Sequence, residues 1–278
     1  MMKLTDTQHY SDIADAIRAK TGGSGTMTPA EMPTEIANIP SGGGMDEDLE
    51  ALIEGTASGD IEISLPEQCL GLGLYFKSDI NSGVTKLTLK TVKTLGDVSA
   101  TYAGLMVDRA NFTELHLPDC TNLCIQRKSS QSTSTWPELT LFDAPNITSL
   151  GVNAFNNAQH LENVVLTNAL NIGNAAFASC KLTTVDLPAC TSIGTLAFRQ
   201  NATLDALILR NNAVVTLAGT NALQSTPIES GTGYIYVPRD LVATYQAATN
   251  WSTFSAQFRA IEDYTSDGTI TGTFVKPA

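Results

Sequence analysis

Residue types that perform chemistry are sparse in this chain. There are three histidines, His9, His116 and His160, and five cysteines, Cys69, Cys120, Cys124, Cys180 and Cys190. His116, Cys120 and Cys124 follow one another at intervals of four, which on a helix would line one face and suggest a metal centre. The sequence contains no His-Glu-x-x-His, no Gly-x-Ser-x-Gly, no phosphate loop and no Cys-x-x-Cys. Gly71-Leu-Gly73 lacks the third glycine of a dinucleotide fingerprint and reads as a turn. The histidines fall in separate segments, and Glu262-Asp263 reads as a solvated carboxylate pair. No nucleophile and base are brought together by spacing, so neither an enzyme nor a bound cofactor or metal is expected.

The elements that must carry these residues show themselves as a repeat. An apolar-x-x-apolar-x-apolar unit recurs as Val84 to Leu89, Phe112 to Leu117, Leu161 to Leu166, Leu182 to Leu187 and Leu204 to Leu209. Trp136 to Leu141 fits the unit with tryptophan first, and Tyr234 to Pro238 ends the series. A second signature follows: Leu150-Gly to Phe155, Ile172-Gly to Phe177, Ile193-Gly to Phe198 and, degraded, Leu217 to Leu223. Its phenylalanines are 22 and 21 residues apart, which matches one solenoid turn. Alternation points the last two apolar strand residues inward, so the Ile-Gly and Ala-Phe positions must fill the same core from the other side. This register puts His116 on a strand and Cys120 in the turn after it, which breaks the helical line. Cys120 in Pro-Asp-Cys-Thr and Cys190 in Pro-Ala-Cys-Thr occupy one repeat position. A recurring position, an odd count and no dense spacing favour core-filling thiols over a disulfide framework.

The unit Leu182-x-x-Val-x-Leu-Pro-x-Cys-Thr-Ser-Ile-Gly-x-x-Ala-Phe198 resembles the BspA-like, Treponema-type leucine-rich repeat, over roughly Val84 to Ile261. The resemblance implies an α/β repeat fold: a solenoid with a parallel β-sheet on its concave side, surface display and adhesion. It brings no shared binding residues. The segments Ile13 to Arg18, Thr26 to Met32 and Ile36 to Ile39 are similar to the N-termini of tail-associated proteins of Firmicutes phages and prophages, as is Leu49 to Thr56.

Organisation follows from these patterns. Residues 1–39 read as a small helical module, with Ser11 and Thr28 as helix caps and Gly22-Gly23 as a stop. Residues 40–45 are a glycine-rich linker, 46–83 an N-terminal cap and first turn, and 84–238 the solenoid. A helical C-terminal cap over 239–264, rich in buried aromatics, and a loose tail over 265–278 complete the chain. The formal charge is −12, half of it in the first fifty residues, where nine acids face three bases. No basic cluster exceeds Arg127-Lys128, which argues against nucleic acid. No apolar run suits a membrane span, and Met1 to Thr21 has no apolar core of a signal peptide.

The residues flanking the inward strand positions are the candidate binding face: His116, Thr140, Phe142, Val165, Asp186, Ile208, Arg210, Tyr234 and Tyr236. Exposed apolar and aromatic side chains there suit an interface, while a partly apolar β surface with no partner is the plainer alternative. Gln126 to Thr135, with Arg127 and Lys128, is a polar insertion that reads either as a binding loop or as a loop with no role. The expected partner is a protein or glycan on a cell surface, with residues 1–39 available for attachment or oligomerisation. Expected locations are a phage particle or a bacterial surface, where the alternative is an adhesin for host matrix or neighbouring cells.

Overall fold

The computed structural model describes residues 51, 56–64, 68–69, 76–77, 83–95, 107–108, 112–123 and 136–277. The helical module, the glycine linker, Cys124 and the Gln126–Thr135 loop with Arg127 and Lys128 lie outside the described residues, as does the side chain of Cys69.

The chain winds as a solenoid of leucine-rich-repeat type. Strand Ser58–Ser64 pairs in parallel with Gly83–Lys90, which pairs with Glu114–His116, then Leu141–Asp143, then Asn163–Val165. A second sheet continues with Thr184–Leu187, Ala206–Leu209, Tyr234–Val237 and Phe258–Ala260, again all parallel. Parallel neighbours need a crossover. Each crossover up to Tyr234–Val237 carries a two-residue strand, from Gln68–Cys69 to Thr216–Leu217, that joins a seven-stranded sheet on the opposite side of the core, whereas the last, to Phe258–Ala260, is helical.

The return segments are also joined from turn to turn. The amides of Asn153, Phe155 and Asn157 donate to the carbonyls of Asn174, Ala176 and Ala178. Those of Ala175, Phe177 and Ser179 do the same with Thr195, Ala197 and Arg199. This geometry uses left-handed backbone at paired positions four apart: Asn153 and Asn157, Ala175 and Ser179, Leu196 and Gln200. A Cβ there is strained by roughly 1–2 kcal/mol. Ala175→Gly, at φ 51°, is therefore expected to raise stability by about 0.5–1 kcal/mol in chemical denaturation.

The Ile-Gly signature has a different cause. A Cβ on Gly173 would meet Leu150 O at 2.6 Å, and one on Gly194 would meet the Asn174 backbone nitrogen at 2.7 Å. These glycines let adjacent turns touch backbone to backbone.

Threonine, present 35 times, has a mechanical use. The Thr113 and Thr140 hydroxyls donate to Thr85 O and Thr113 O. Those of Thr121, Thr148 and Thr191 donate to Lys93 O, Thr121 O and Leu170 O. Each distance is 3.0–3.1 Å, so a β-branched residue that suits a strand also ties its turn to the one before.

Inside, the core is a stack of columns. Phe155, Phe177 and Phe198 stack at 5.6 and 5.8 Å with rings nearly parallel. Trp136 and Phe112 extend the aromatic run toward the N-terminus. Cys120 and Cys190 are fully buried, as the repeat alignment implies, and donate their thiols to Asn122 O and Ser192 O. Burial pushes both thiols up to about 11. An unfolded thiol ionises near 9, so the unfolded chain sheds protons first. This contribution is complete below pH 9 and is lost as pH rises toward 11. The expected loss is roughly 2–3 kcal/mol per thiol, readable in urea melts across that range.

Two expectations from sequence are corrected. The inward strand column runs Leu87, Leu115, Phe142 and Val164 in register, so the unit in this turn is Leu139-x-x-Phe142, not Trp136-x-x-Leu139. Trp136 belongs to the end of the preceding return segment, where its Nε1 donates to Ala154 O at 3.2 Å. The C-terminal cap is also less helical than expected. After helix Val242–Ala247 come a 3-10 stretch over Ser252–Gln257 and a strand over Phe258–Ala260 that adds a further turn to the sheet. Phe258 pairs with Ile235 and extends the inward column. The expected aromatic packing does occur: Tyr245, Trp251, Phe254 and Phe258 are buried, with Trp251 Nε1 on Val215 O and Tyr245 Oη accepting from Val215 N.

Candidate binding face

Strand alternation creates two outward stripes. One runs Thr88, His116, Asp143 and Val165, then Asp186, Ile208, Tyr236 and Arg259. The other runs Lys86, Glu114, Leu141 and Asn163, then Thr184, Ala206 and Tyr234. The structure divides this surface into an uncovered part and a covered part.

Among the described residues, the uncovered part spans the strands up to Asn163–Val165. His116 sits between two carboxylates, with Nε2 2.9 Å from Glu114 Oε2 and Nδ1 3.0 Å from Asp143 Oδ2. This bridge links two neighbouring turns on the outer side. Lys90 pairs with Glu62 in the same manner. Val165 is 40% exposed and leaves an apolar spot beside Asn163. Cys120 points into the core while His116 points out, so the two do not converge on a metal.

The covered part lies over the last repeats. Residues 265–277, expected as a loose tail, fold into a small hairpin. Thr265 bridges Phe274 in antiparallel fashion, Ser266 N donates to Thr273 O, and Val275 N donates to Tyr264 O. Asp267 closes its turn by accepting from the amide and hydroxyl of Thr269, and these bonds hold its carboxyl below the usual carboxylate range. Ile270 and Phe274 then pack with Tyr264 on Ala206, Ile208 and Tyr236. Phe274 and Tyr264 meet the Tyr236 ring edge-on at 4.7 and 5.0 Å. Burial there pushes the Tyr236 phenol up to about 12.

Several candidate face residues change role accordingly. Phe142 is fully buried, because the three-residue difference in register turns it inward. Thr140 precedes its strand and spends its hydroxyl on Thr113 O. Ile208 and Tyr236 do point outward but lie buried beneath the hairpin. Tyr234 is partly covered and carries Arg259 over its ring at 4.1 Å. Arg210 holds Asp186 through Nε and Nη2 at 2.7–2.9 Å, and its Nη1 donates to the carbonyls of Ile270 and Gly272. His116, Val165 and Asp186 remain at the surface at least in part, joined by Glu114, Asp143 and Asn163. The sequence pattern misses Asp143, which the same register difference hides. Among the described residues, no helix is long and apolar enough to cross a membrane.

Comparison with known proteins bears on the repeat. Among curated proteins, no relative matches the chain. A leucine rich cell surface protein from Faecalibacterium prausnitzii is 19% identical, covering 56% of this chain and 39% of its own, with a TM-score of 0.37. A leucine-rich repeat protein from Bacteroides ovatus is 14% identical, covering 66% of this chain and 56% of its own, with a TM-score of 0.34. The chain thus spans less than two thirds of either protein. Residues 129–237 match the family described as BspA type Leucine rich repeat region, in six copies. Over that span the chain is similar to BspA-type leucine-rich repeats.

Proposed function

We propose that this is a non-enzymatic binding protein of a surface, which recognises a protein or glycan through the uncovered outward stripe of its first sheet. The observation that carries this reading is the row His116, Asp143 and Val165, with Glu114 and Asn163 beside it. Polar groups fixed by cross-strand pairing there flank an exposed apolar spot. Such a row gives a partner both hydrogen-bonding groups and a contact that excludes water. Two settings fit: a tail-associated component of a phage or prophage particle, supported by the resemblance of the N-terminal segment, and a bacterial surface adhesin, supported by the repeat type. Neighbouring tail or baseplate genes favour the first, and an in-frame export signal upstream favours the second.

Glycan and extracellular-matrix arrays test the binding itself. The full chain is expected to retain a ligand that the combined variant Asn163→Ala, Val165→Asp loses. Retention of every array ligand by a variant that still folds sinks this face as the site.

A further inference from the structure

The outward stripe changes character where the hairpin begins. It is polar at Thr88, His116 and Asp143 and becomes apolar at Ile208 and Tyr236, and only the apolar stretch is covered. The cover is attached differently from the described turns of the solenoid. Successive turns share backbone ladders on both sheets and along the return segments. The hairpin joins the sheet face only through side chains: the Ile270 and Phe274 contacts, the Arg210 bonds to two carbonyls, and the Lys276–Asp205 pair at 2.7 Å. That pair is about half exposed on the lysine side and is worth little in water. Its backbone bonds are internal to the hairpin. The hairpin can therefore lift as a unit about Tyr264–Thr265 without breaking any ladder of the solenoid.

We infer that Tyr264–Lys276 is a reversible strap over a second docking surface, formed by Ala206, Ile208, Tyr234, Tyr236 and Arg210. The partner this surface fits is defined by its present occupant. It is a turn-forming protein segment with apolar side chains four apart, as in Ile270 and Phe274. Its backbone carbonyls lie between them for Arg210, and a basic residue follows two positions on for Asp205. This surface is separate from the uncovered stripe, so it stands or falls independently of that reading.

Hydrogen exchange on the full chain tests the strap. The Ser266 and Val275 amides are expected to exchange at least about 100-fold faster than that of Phe177, because they open without global unfolding. A labelled peptide of residues 264–277 tests the surface beneath. The full-chain variant Ile270→Asp, Phe274→Asp is expected to bind it saturably, the parent chain at least about 10-fold more weakly, and the variant with Arg210→Gln added not at all. The inference is overturned if Ser266 and Val275 are protected as strongly as Phe177. It is equally overturned if the lifted variant, with exchange protection in its repeats unchanged, fails to bind the peptide.

Discussion

Phe177→Ala is expected to destabilise the protein by roughly 3–5 kcal/mol, the usual cost of removing a fully buried aromatic ring. The ring has no exposed edge and stacks on Phe155 on one side and Phe198 on the other. Alanine leaves a cavity that the backbone cannot close, since the Phe177 amide is fixed to Ala197 O and the Phe155 amide to Ala176 O. In a solenoid each turn is stabilised by its two neighbours, so one deletion weakens two interfaces. Loss of cooperativity is the distinguishing result. Urea denaturation followed by tryptophan fluorescence reports Trp136 on one side of the gap and Trp251 on the other. Single-tryptophan versions of Phe177→Ala are expected to melt at separate midpoints, whereas the parent melts at one. A loss below about 1 kcal/mol would mean that the column is loosely packed.

The second large effect is expected at Asn201. This asparagine is completely buried. Its Nδ2 donates to Phe177 O at 2.7 Å and Phe198 O at 2.9 Å, while its Oδ1 accepts from Leu182 N at 3.1 Å. Asn201→Leu leaves three buried backbone groups without these partners, each worth about 1–3 kcal/mol, and the total is expected to reach roughly 3–5 kcal/mol after relaxation. One turn earlier, Cys180 performs a reduced version of the same task, donating its thiol to Phe155 O at 3.1 Å. Asn201→Cys should therefore recover a third or more of the loss in thermal or urea melts. Equal losses for leucine and cysteine would show that volume, rather than hydrogen bonding, governs the position.

The periodic part of this architecture is legible in the sequence because each turn repeats one packing problem. Ile172-Gly-x-x-Ala-Phe177 and Ile193-Gly-x-x-Ala-Phe198 place the same side chains at the same depth, and all four large residues are buried. Where the pattern offers two solutions, periodicity fails. Trp136-x-x-Leu139-x-Leu141 and Leu139-x-x-Phe142-x-Ala144 both satisfy the unit, and the strand pairing selects the second. The candidate face meets a different limit. Alternation along a strand says which side chains leave the core, but it carries no information about a segment sixty residues away. Arg210 meets Ile270 and Gly272 at separations of 60 and 62. Ile208 and Tyr236 therefore read as exposed from alternation alone, whereas the hairpin covers both.

The ladders between turns have a consequence for load. Strands lie across the solenoid axis and their hydrogen bonds run along it, so tension between the two ends pulls these bonds apart a turn at a time instead of shearing many at once. Each released turn of about 22 residues lengthens the chain by roughly 70–80 Å. Tension applied between the two ends of the solenoid would thus extend it in steps and limit the peak force it transmits.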